Sequence, residues 1–502
     1  MTVGNPGWIP GVPDTVEKMG TTSPDLHLVL DRARPRGLRA QIEEEIRAAV
    51  RGGRLRAGTR LPSTRALAAD LGVTRRVVVE AYDQLVAEGY VVSRPGAGTV
   101  VNAVARSGRA ARPTAPAAAA VRVDFRPGLP DHELFPRLAW GRASRAALLG
   151  AAELSGNDRR GLPRLRVELA EYLARVRGVD AHPDRIVVCA GFGHAFDLLV
   201  EVLRDRAFAV EDPGYPPPRA RLARAGIPVE AVPVDGHGLV VERLRATAAR
   251  VAVVTPAHQS PSGVPLSPRR RHELVEWARA VDGYVVEDDF DAEFRYDRRP
   301  VGALQGLAPD RVVYCGTTAK TLAGGLRLGW MVLPDELVAP VCALRAGSDG
   351  ATSGVLAATF AELLRTGDLD RHLRRSRRVY RERRDAVVGA VHRWLPEATV
   401  SGVAAGLSAV LDLPASLDEQ AVVAGAAERG VRVYARAPFH VRPGGPGLLL
   451  GYGAVPPEAA EQGVRLLADA VRAITGPPAG PRRARVHLVD GASACAGSVV
   501  PP

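Results

Sequence analysis

A stretch of low complexity at residues 103–123, AVARSGRAARPTAPAAAAVRV, divides the 502-residue chain into a short and a long block. It consists mainly of alanine, proline and arginine and shows no helical or strand period, which is typical of a flexible linker. Residues 1–25 and 477–502 have a similar Gly/Pro-rich character and are predicted to be a disordered leader and a disordered tail. We therefore expect two domains, at residues 26–102 and 124–476.

The short block combines three helical patterns with a β-hairpin. Apolar residues from Leu38 onward recur with a helical period, and a pair of glycines ends that helix. Ser63 and Thr74 are predicted to cap the second helix and the third, which runs from Arg75 to Glu88. The tight turn LGVT joins these two helices in a helix-turn-helix arrangement. The run YVVSRPGAGTVV then places two short strands around a Pro-Gly turn, which predicts a wing.

Positive charge in the short block indicates a nucleic-acid partner. Residues 31–102 contain 13 arginines and 8 acidic residues, a net charge of +5, within a chain whose formal charge is +12. Arg75 and Arg76 begin the third helix, where free backbone N–H groups also favour phosphate, and this helix can enter a major groove. Each arginine alone could equally belong to a solvated helix face. The set predicts contacts with double-stranded DNA through Ser63, Arg65, Thr74, Arg75, Arg76, Arg94 and Gly96.

The long block alternates apolar runs with helical stretches. The runs RIVVCA, AFAVEDPGY, VAVVTP, GYVVEDD and RVVYCGTT are separated by segments such as HAFDLLVEVLRD and SPRRRHELVEWARAV. This order predicts an α/β domain with a largely parallel sheet, in which ligands bind beyond the carboxyl ends of the strands. Reactive side chains are therefore expected immediately after each run.

Lys320, in GTTAKTLAGGLRLGW, is one of only two lysines in a chain with 65 arginines; the other is Lys18. An arginine side chain stays protonated at any biological pH. A lysine amine can lose its proton when it is desolvated, and it can then attack a carbonyl group. A lysine that follows a strand is usually an ordinary surface residue, but the scarcity of lysine elsewhere favours a chemical role for Lys320.

One ligand accounts for the side chains that follow the strands. Pyridoxal phosphate (PLP) requires an amine for its aldehyde, a carboxylate for its ring nitrogen, an aromatic ring to stack on it, and donors for its phosphate. The sequence offers, in that order, Lys320, Asp288, Tyr215, and the phosphate donors Thr317, Phe192, Gly193 and Arg327.

The motifs resemble two known families. The segments GRLRAGTRLPSTRALA and RPGAGT are similar to the winged helix-turn-helix of the GntR family of bacterial transcription regulators, which implies DNA binding as a dimer. DFRPGLPDHELFP, VEDPGYP, TPAHQSPSG, VVEDDFDAEFRY and GTTAKTLAGGLRLGW resemble aminotransferases of PLP-dependent fold type I. Together they resemble the MocR branch of the GntR family. The resemblance to fold type I implies a large domain with a mainly parallel sheet and a small C-terminal α+β subdomain.

The resemblance also assigns residues. It implies that Lys320 forms the Schiff base, Asp288 contacts the ring nitrogen and Tyr215 stacks on the ring. Arg327 and Thr317 would bind the phosphate, and His258 to Ser260 would line the oxygen side of the cofactor.

Three positions depart from the aminotransferase pattern. Phe290 replaces a tyrosine that donates to the cofactor's phenolate oxygen, and Gly156 replaces a tyrosine that reaches the phosphate across a dimer interface. Each lost donor would weaken cofactor binding by about 1 kcal/mol. Leu449 replaces the arginine that binds a substrate carboxylate, which leaves Arg436 and Arg442 as candidate substitutes.

These observations predict a homodimeric transcription regulator whose aminotransferase-like domain binds PLP and senses it or an amine or amino-acid effector. The alternatives are a working aminotransferase with a DNA-binding domain and a regulator that no longer holds the cofactor. The cysteines, at positions 189, 315, 342 and 495, show neither metal-ligand spacing nor a disulfide pattern. The sequence also lacks a signal peptide and an apolar run long enough to span a membrane, so we expect a soluble, cytoplasmic protein without a metal site.

Overall fold

The structure is a computed structural model that describes residues 26, 28, 30–32, 37–94, 98–103, 121–150, 158–296, 301–346, 352–402 and 405–475. The predicted leader and tail, most of the predicted linker, and the positions Gly96 and Gly156 lie outside the described residues. The chain divides into two compact units after Pro116, a point within the predicted linker.

The first unit has the predicted order of three helices and a hairpin. The helices are α1 (Leu38–Arg51), α2 (Thr64–Leu71) and α3 (Arg75–Ala87), and the strands β1 (Val91–Arg94) and β2 (Gly98–Val101) pair antiparallel. The core is built from one face of each helix, with Ile42, Ile46, Val78 and Leu85 fully buried. Because these side chains recur at helical spacing, the apolar pattern fixes which face of each helix turns inward.

The cap predictions for α2 and α3 have different outcomes. Ser63 accepts a hydrogen bond from the backbone N–H of Ala66, as a capping serine does. Thr74 occupies the N-cap position of α3, but its side chain makes no capping hydrogen bond, so the predicted capping role is wrong. The helix also ends at Ala87, one residue before the predicted end.

The second unit is built on an eight-stranded sheet with the order β4-β11-β10-β9-β8-β5-β6-β7. Its central strands pair parallel, β11 runs antiparallel between β10 and β4, and β7 pairs antiparallel at the edge. The predicted α/β class and the largely parallel sheet are therefore confirmed. The strands are β4 (Ile186–Cys189), β5 (Phe208–Asp212), β6 (Val229–Asp235), β7 (Gly238–Leu239), β8 (Val251–Val254), β9 (Tyr284–Asp289), β10 (Val312–Thr317) and β11 (Gly329–Val332).

Helices cover both faces of this sheet. They are α4 (Arg137–Leu148), α5 (Pro163–Arg177), α6 (Phe192–Val202), α7 (Pro216–Arg224), α8 (Val241–Arg245), α9 (Pro268–Ala280), α10 (Asp335–Ala346) and α11 (Gly354–Arg365). Alternate residues of one strand join different apolar clusters: Val251 and Val253 face one, and Ala252 and Val254 face another. Burial of both strand faces explains why these strands read as continuous apolar runs in the sequence.

A smaller C-terminal subdomain follows the long helix α12 (Asp368–Trp394). Its antiparallel sheet has the order β12-β13-β16-β15, and β14 pairs parallel with β3 from the start of the unit. The remaining elements are β3 (Val123–Asp124), β12 (Thr399–Ser401), β13 (Ser408–Asp412), α13 (Glu419–Glu428), β14 (Val431–Arg432), β15 (Tyr434–Ala435), β16 (Gly447–Gly451) and α14 (Pro457–Thr475). Among the described residues, no helix is long and apolar enough to cross a membrane.

Candidate functional site

The candidate DNA-contacting arginines of the first unit lie on α2, at the start of α3 and at the end of β1. Arg65, Arg75, Arg76 and Arg94 are all exposed. The Arg75 Nε atom donates to the hydroxyl of Thr64 at 3.3 Å, so this guanidinium lies beside the N-termini of both helices. Free N–H groups at a helix N-terminus favour anions, and the positive charge of Arg75 adds to that preference.

Arg76 differs from Arg75 because it has an acidic neighbour on its own helix. Its Nε lies 2.8 Å from a carboxylate oxygen of Glu80, one helical turn away. Part of its charge is therefore already compensated within the protein. For Arg75, no carboxylate of the described residues lies within ion-pair distance, which makes it the stronger candidate for a phosphate contact.

The second unit contains a cavity of about 330 Å³ beyond the carboxyl ends of β9 and β10. All nine residues that the sequence analysis assigned to a cofactor line it: Phe192, Gly193, Tyr215, His258, Ser260, Asp288, Thr317, Lys320 and Arg327. They come from segments spread over more than 130 residues, and they meet because parallel strands end at the same edge of the sheet.

Lys320 lies in a single π-helical turn, Ala319–Ala323, that follows β10. Its Nζ donates a hydrogen bond of 2.7 Å to the carbonyl of Gly128. Burial lowers the pKa of Lys320, although the neighbouring carboxylates of Asp291 and Asp288 oppose that change. The amine is therefore more readily available in its neutral, nucleophilic form than an ordinary lysine amine.

Asp288, on β9, is a buried carboxyl group to which no hydrogen-bond donor of the described residues is paired. Its Oδ1 atom has no hydrogen-bond partner among the described residues. Burial, together with the carboxylates of Asp289 and Asp291, raises its pKa well above the usual range. A buried acid in this state is stabilised by any ligand that brings a donor and a positive charge.

The N-terminus of α6 forms one end of the cavity. Gly191 precedes the helix with φ +100°, a conformation that favours glycine, and Phe192 and Gly193 begin the helix. Thr317 lies nearby, since a Cβ at Gly191 would be 3.9 Å from its hydroxyl oxygen. Burial and the cations Arg345 and Arg327 lower the pKa of His194 in the first turn. Backbone N–H groups and guanidinium groups thus converge at this end.

Family comparisons agree with this division of the chain. Residues 38–101 match the model for bacterial regulatory proteins of the gntR family, and residues 130–457 match aminotransferase class I and II. The chain is 35% identical to the probable rhizopine catabolism regulatory protein MocR of Rhizobium meliloti, over 89% of this chain and 96% of that protein. It is 34% identical to the pyridoxine biosynthesis regulator PdxR of Corynebacterium glutamicum, over 86% and 95%.

The chain belongs to the MocR-type branch of the GntR family of transcriptional regulators.

Solved structures related to the second unit of this MocR-type regulator are aminotransferases. An archaeal alanine:glyoxylate aminotransferase superposes with a TM-score of 0.66 at 27% identity, covering 70% of this chain and 90% of that one. The α-aminoadipate aminotransferase LysN of Thermus thermophilus gives 0.65 at 26%, covering 70% and 92%. PLP dependence is general for the aminotransferase class I and II fold.

The structure of the MocR-type regulator also places the residues that depart from the aminotransferase pattern. Phe290 and Leu449 both line the cavity. Arg436 and Arg442, the candidate substitutes for the carboxylate-binding arginine, do not line it. Arg436 is paired with Asp412, and the Arg442 guanidinium approaches a backbone carbonyl of β6.

Several lining residues of the MocR-type regulator escaped the sequence analysis, among them Gly128, Arg221 and Asp291. Asp291 accepts a hydrogen bond from His258 Nδ1 at 3.0 Å, and the Arg221 Nε lies 2.8 Å from Asp197. The motif VVEDDFDAEFRY already contains Asp291, so its neighbour Asp288 could have drawn attention to it. Gly128 likewise lies in the quoted motif DFRPGLPDHELFP, but nothing in that motif indicates its approach to Lys320, and Arg221 lies outside the quoted motifs.

Proposed function

We propose that this MocR-type regulator binds double-stranded DNA as a homodimer through its winged helix-turn-helix and that its second unit binds PLP, sensing either PLP itself or an amine or amino-acid effector. The observation that carries the proposal is the meeting of Lys320 and Asp288 in one cavity. The first is a lysine with a lowered pKa, and the second is a buried acid without a hydrogen-bond donor. PLP offers an aldehyde to one and a protonated ring nitrogen to the other.

The remaining lining residues fit the other parts of the same ligand. Arg327, Thr317 and the first N–H groups of α6 would hold the phosphate, because guanidinium, hydroxyl and free amide groups are its usual donors. Tyr215 would stack on the ring, and His258 and Ser260 would line the oxygen side. A Cβ at Gly193 would lie 2.6 Å from Arg221, so glycine keeps this part of the cradle open.

PLP, when bound, supplies an electrophilic carbon that takes up amines reversibly. The residues of the protein would select which effector binds and would transmit its binding to the DNA-binding unit. A ligand changes DNA binding only if it has different affinity for protein states that differ in their affinity for DNA. We therefore expect the affinity for DNA to depend on occupancy of the cavity.

The direct test is a titration of the full-length protein with the DNA upstream of its own gene, with and without PLP. The proposal expects saturable DNA binding whose dissociation constant changes when PLP is added. An unchanged dissociation constant with PLP and with every amine or amino acid tried would contradict sensing. Sustained multiple turnover of amino-acid/keto-acid pairs would instead identify a working aminotransferase.

Arg75→Ala should weaken DNA binding and reduce its dependence on salt. The logarithm of the association constant falls as log [salt] rises. Loss of one phosphate contact per protomer makes this fall less steep, by about 0.9 in the slope for each half-site. Electrophoretic mobility shifts or fluorescence anisotropy at several salt concentrations measure both quantities.

Arg39→Ala is the matched control for Arg75→Ala. Arg39 is also exposed in the first unit, but it lies on α1 and its Nε is 2.9 Å from Glu43. The proposal expects this variant to keep the wild-type slope. Equal effects of the two substitutions would remove Arg75 from the set of DNA contacts.

The homodimer is supported by two exposed leucines at the ends of α4. Leu138 is 83% exposed, and Leu149, directly after the helix, is 85% exposed. Residues eleven apart lie on nearly the same side of a helix, and the exposed Arg142 and Arg145 lie between the two leucines on that side. Leucines exposed to this extent are available for burial against a partner, and we propose that the partner is a second copy of this chain.

Leu138→Glu should therefore weaken the dimer, raising its dissociation constant by about tenfold or more, because each protomer loses a buried leucine. Analytical ultracentrifugation over a range of concentrations measures this constant. Leu307→Glu serves as the control, since Leu307 is also exposed but lies far from α4 in the sequence. If Leu138→Glu leaves the dissociation constant unchanged, α4 is not part of the interface.

A further inference from the structure

Leu449 faces the cavity from the C-terminal subdomain. It lies on β16, opposite Val410 of β13 and Tyr434 of β15, and it is only 3% exposed. The other lining residues from this part of the chain are Ser408 and Phe439. The subdomain therefore contributes two apolar side chains and one hydroxyl, and no positive charge, to the cavity.

Every cation that lines the cavity within the described residues already has another partner or role. The Arg221 Nε lies 2.8 Å from Asp197, and His258 Nδ1 lies 3.0 Å from Asp291. Lys320 and Arg327 are the candidates for the aldehyde and the phosphate of PLP. No lining cation of the described chain remains for a carboxylate on the effector.

The two arginines that the sequence offered as substitutes are held elsewhere. Arg436 is ion-paired with Asp412, and it also donates to the carbonyl of Gly445 at 2.6 Å. The backbone N–H of Arg442 donates to Asp212 at 3.2 Å, and its Nη2 atom lies 3.5 Å from the carbonyl of Ala231. Neither guanidinium lines the cavity.

The acids that line the cavity are also assigned: Asp288 is the candidate for the ring nitrogen of PLP, and Asp291 accepts a hydrogen bond from His258. Phe290, Pro217 and Pro261 add apolar surface to that of Leu449 and Phe439. A carboxylate placed against this surface would lose its hydration without gaining a counter-ion, whereas a hydrocarbon body would bury apolar area.

We infer that the effector of this regulator is a primary amine with an apolar body and no carboxylate, rather than an amino acid. The inference rests on the proposed function and names the class of ligand that the same cavity takes. The effector nitrogen would bond to the aldehyde carbon of PLP while the bond from that carbon to the Lys320 nitrogen breaks. Both protons of the neutral effector amine would pass to the Lys320 nitrogen, which would leave as a free amine, so the exchange would need no oxidant or reductant.

The test uses two pairs of compounds that differ only by a carboxylate: 2-phenylethylamine with L-phenylalanine, and 3-methylbutylamine with L-leucine. Full-length protein loaded with PLP is equilibrated with each compound and then reduced with borohydride. Mass spectrometry measures the fraction of Lys320 that carries the reduced cofactor. An effective amine displaces Lys320 from the cofactor before reduction, so the labelled fraction falls.

We expect each amine to act at a concentration at least about tenfold lower than its amino acid, because an unpaired buried carboxylate costs binding free energy. Leu449→Arg should reduce or invert that ratio by supplying the missing cation, and Leu449→Met, which stays apolar, should preserve it. If Leu449→Arg fails to fold, the wild-type comparison still decides the question.

The possible outcomes separate this inference from the proposed function. If wild-type protein shows no PLP on Lys320 before any amine is added, the proposed function fails. If Lys320 carries PLP and an amino acid acts at the same concentration as its amine or a lower one, the inference fails and the proposed function stands. If Lys320 carries PLP and neither member of either pair lowers the labelled fraction, the apolar-amine inference is also overturned.

Discussion

Lys320→Ala is expected to abolish covalent attachment of PLP to the protein. The amine of Lys320 is buried in the cavity, and burial lowers its pKa, so it reacts as a neutral nucleophile at a lower pH than an ordinary lysine. Reduction with borohydride at neutral pH should fix one cofactor per chain in the wild-type protein. The variant should retain none, and peptide mapping by mass spectrometry distinguishes the two results.

The chain provides an internal control, because Lys18 is its only other lysine. Lys18→Ala should leave the adduct unchanged. The pH dependence gives a second check: labelling of Lys320 should persist to lower pH than labelling of a lysine with an ordinary pKa, and it should fall as the pH drops through the lowered pKa. An adduct that maps to Lys18, or that survives in Lys320→Ala, would contradict the assignment.

Arg177→Met is expected to destabilise the second unit by about 3–5 kcal/mol, because it removes one partner of a buried ion pair. The Arg177 Nε lies 2.7 Å from Asp289 Oδ2, and the two side chains are 1% and 3% exposed. Tyr314 donates to the same oxygen at 2.8 Å. Without the guanidinium, Asp289 would keep a buried charge that a single hydroxyl does not compensate.

Arg175→Met is the matched control, since Arg175 lies two residues earlier on α5 and its pair with Asp370 is largely exposed. We expect that change to cost only about 0–1 kcal/mol. Urea unfolding followed by tryptophan fluorescence reports on the second unit, which contains Trp140, Trp277, Trp330 and Trp394. Equal losses of unfolding free energy in both variants would contradict the importance of burial.

The substitution Arg177→Met also affects the cavity. Asp288 and Asp289 are consecutive on β9, so their side chains emerge on opposite faces of the sheet. Asp288 lines the cavity, and Asp289 belongs to the ion pair behind it. The buried pair thus holds the strand end that positions Asp288, and Arg177→Met should weaken PLP binding as well as folding.

The predicted cavity residues could be found from the sequence because the fold brings strand ends together. Asp288 is the last residue but one of β9, Thr317 ends β10, and Lys320 follows within a few residues. Once the alternation of strands and helices was read correctly, parallel pairing placed these side chains at one edge. The helical period and the cap residues likewise predicted that α3 begins at Arg75, one of the arginines proposed to contact DNA.

Contacts between distant segments could not be predicted in this way. Gly128 reaches Lys320 across 192 residues of sequence, and no local pattern records that approach. Arg221 lies on α7, where its charge reads as part of an ordinary helix face until the structure places it beside Gly193. The capping role expected of Thr74 failed for a related reason: the residue type identifies the position but does not fix the rotamer of the side chain.

The contact between Gly128 and Lys320 has a consequence for how such proteins diverge. Gly128 has φ +64°, and a Cβ built there would lie 2.6 Å from the Lys320 Nζ. One added methyl group would therefore obstruct the amine while every residue of the lysine motif stayed in place. A descendant would lose the proposed attachment of vitamin B6 through this single change, and inspection of the lysine motif alone would classify it as fully competent.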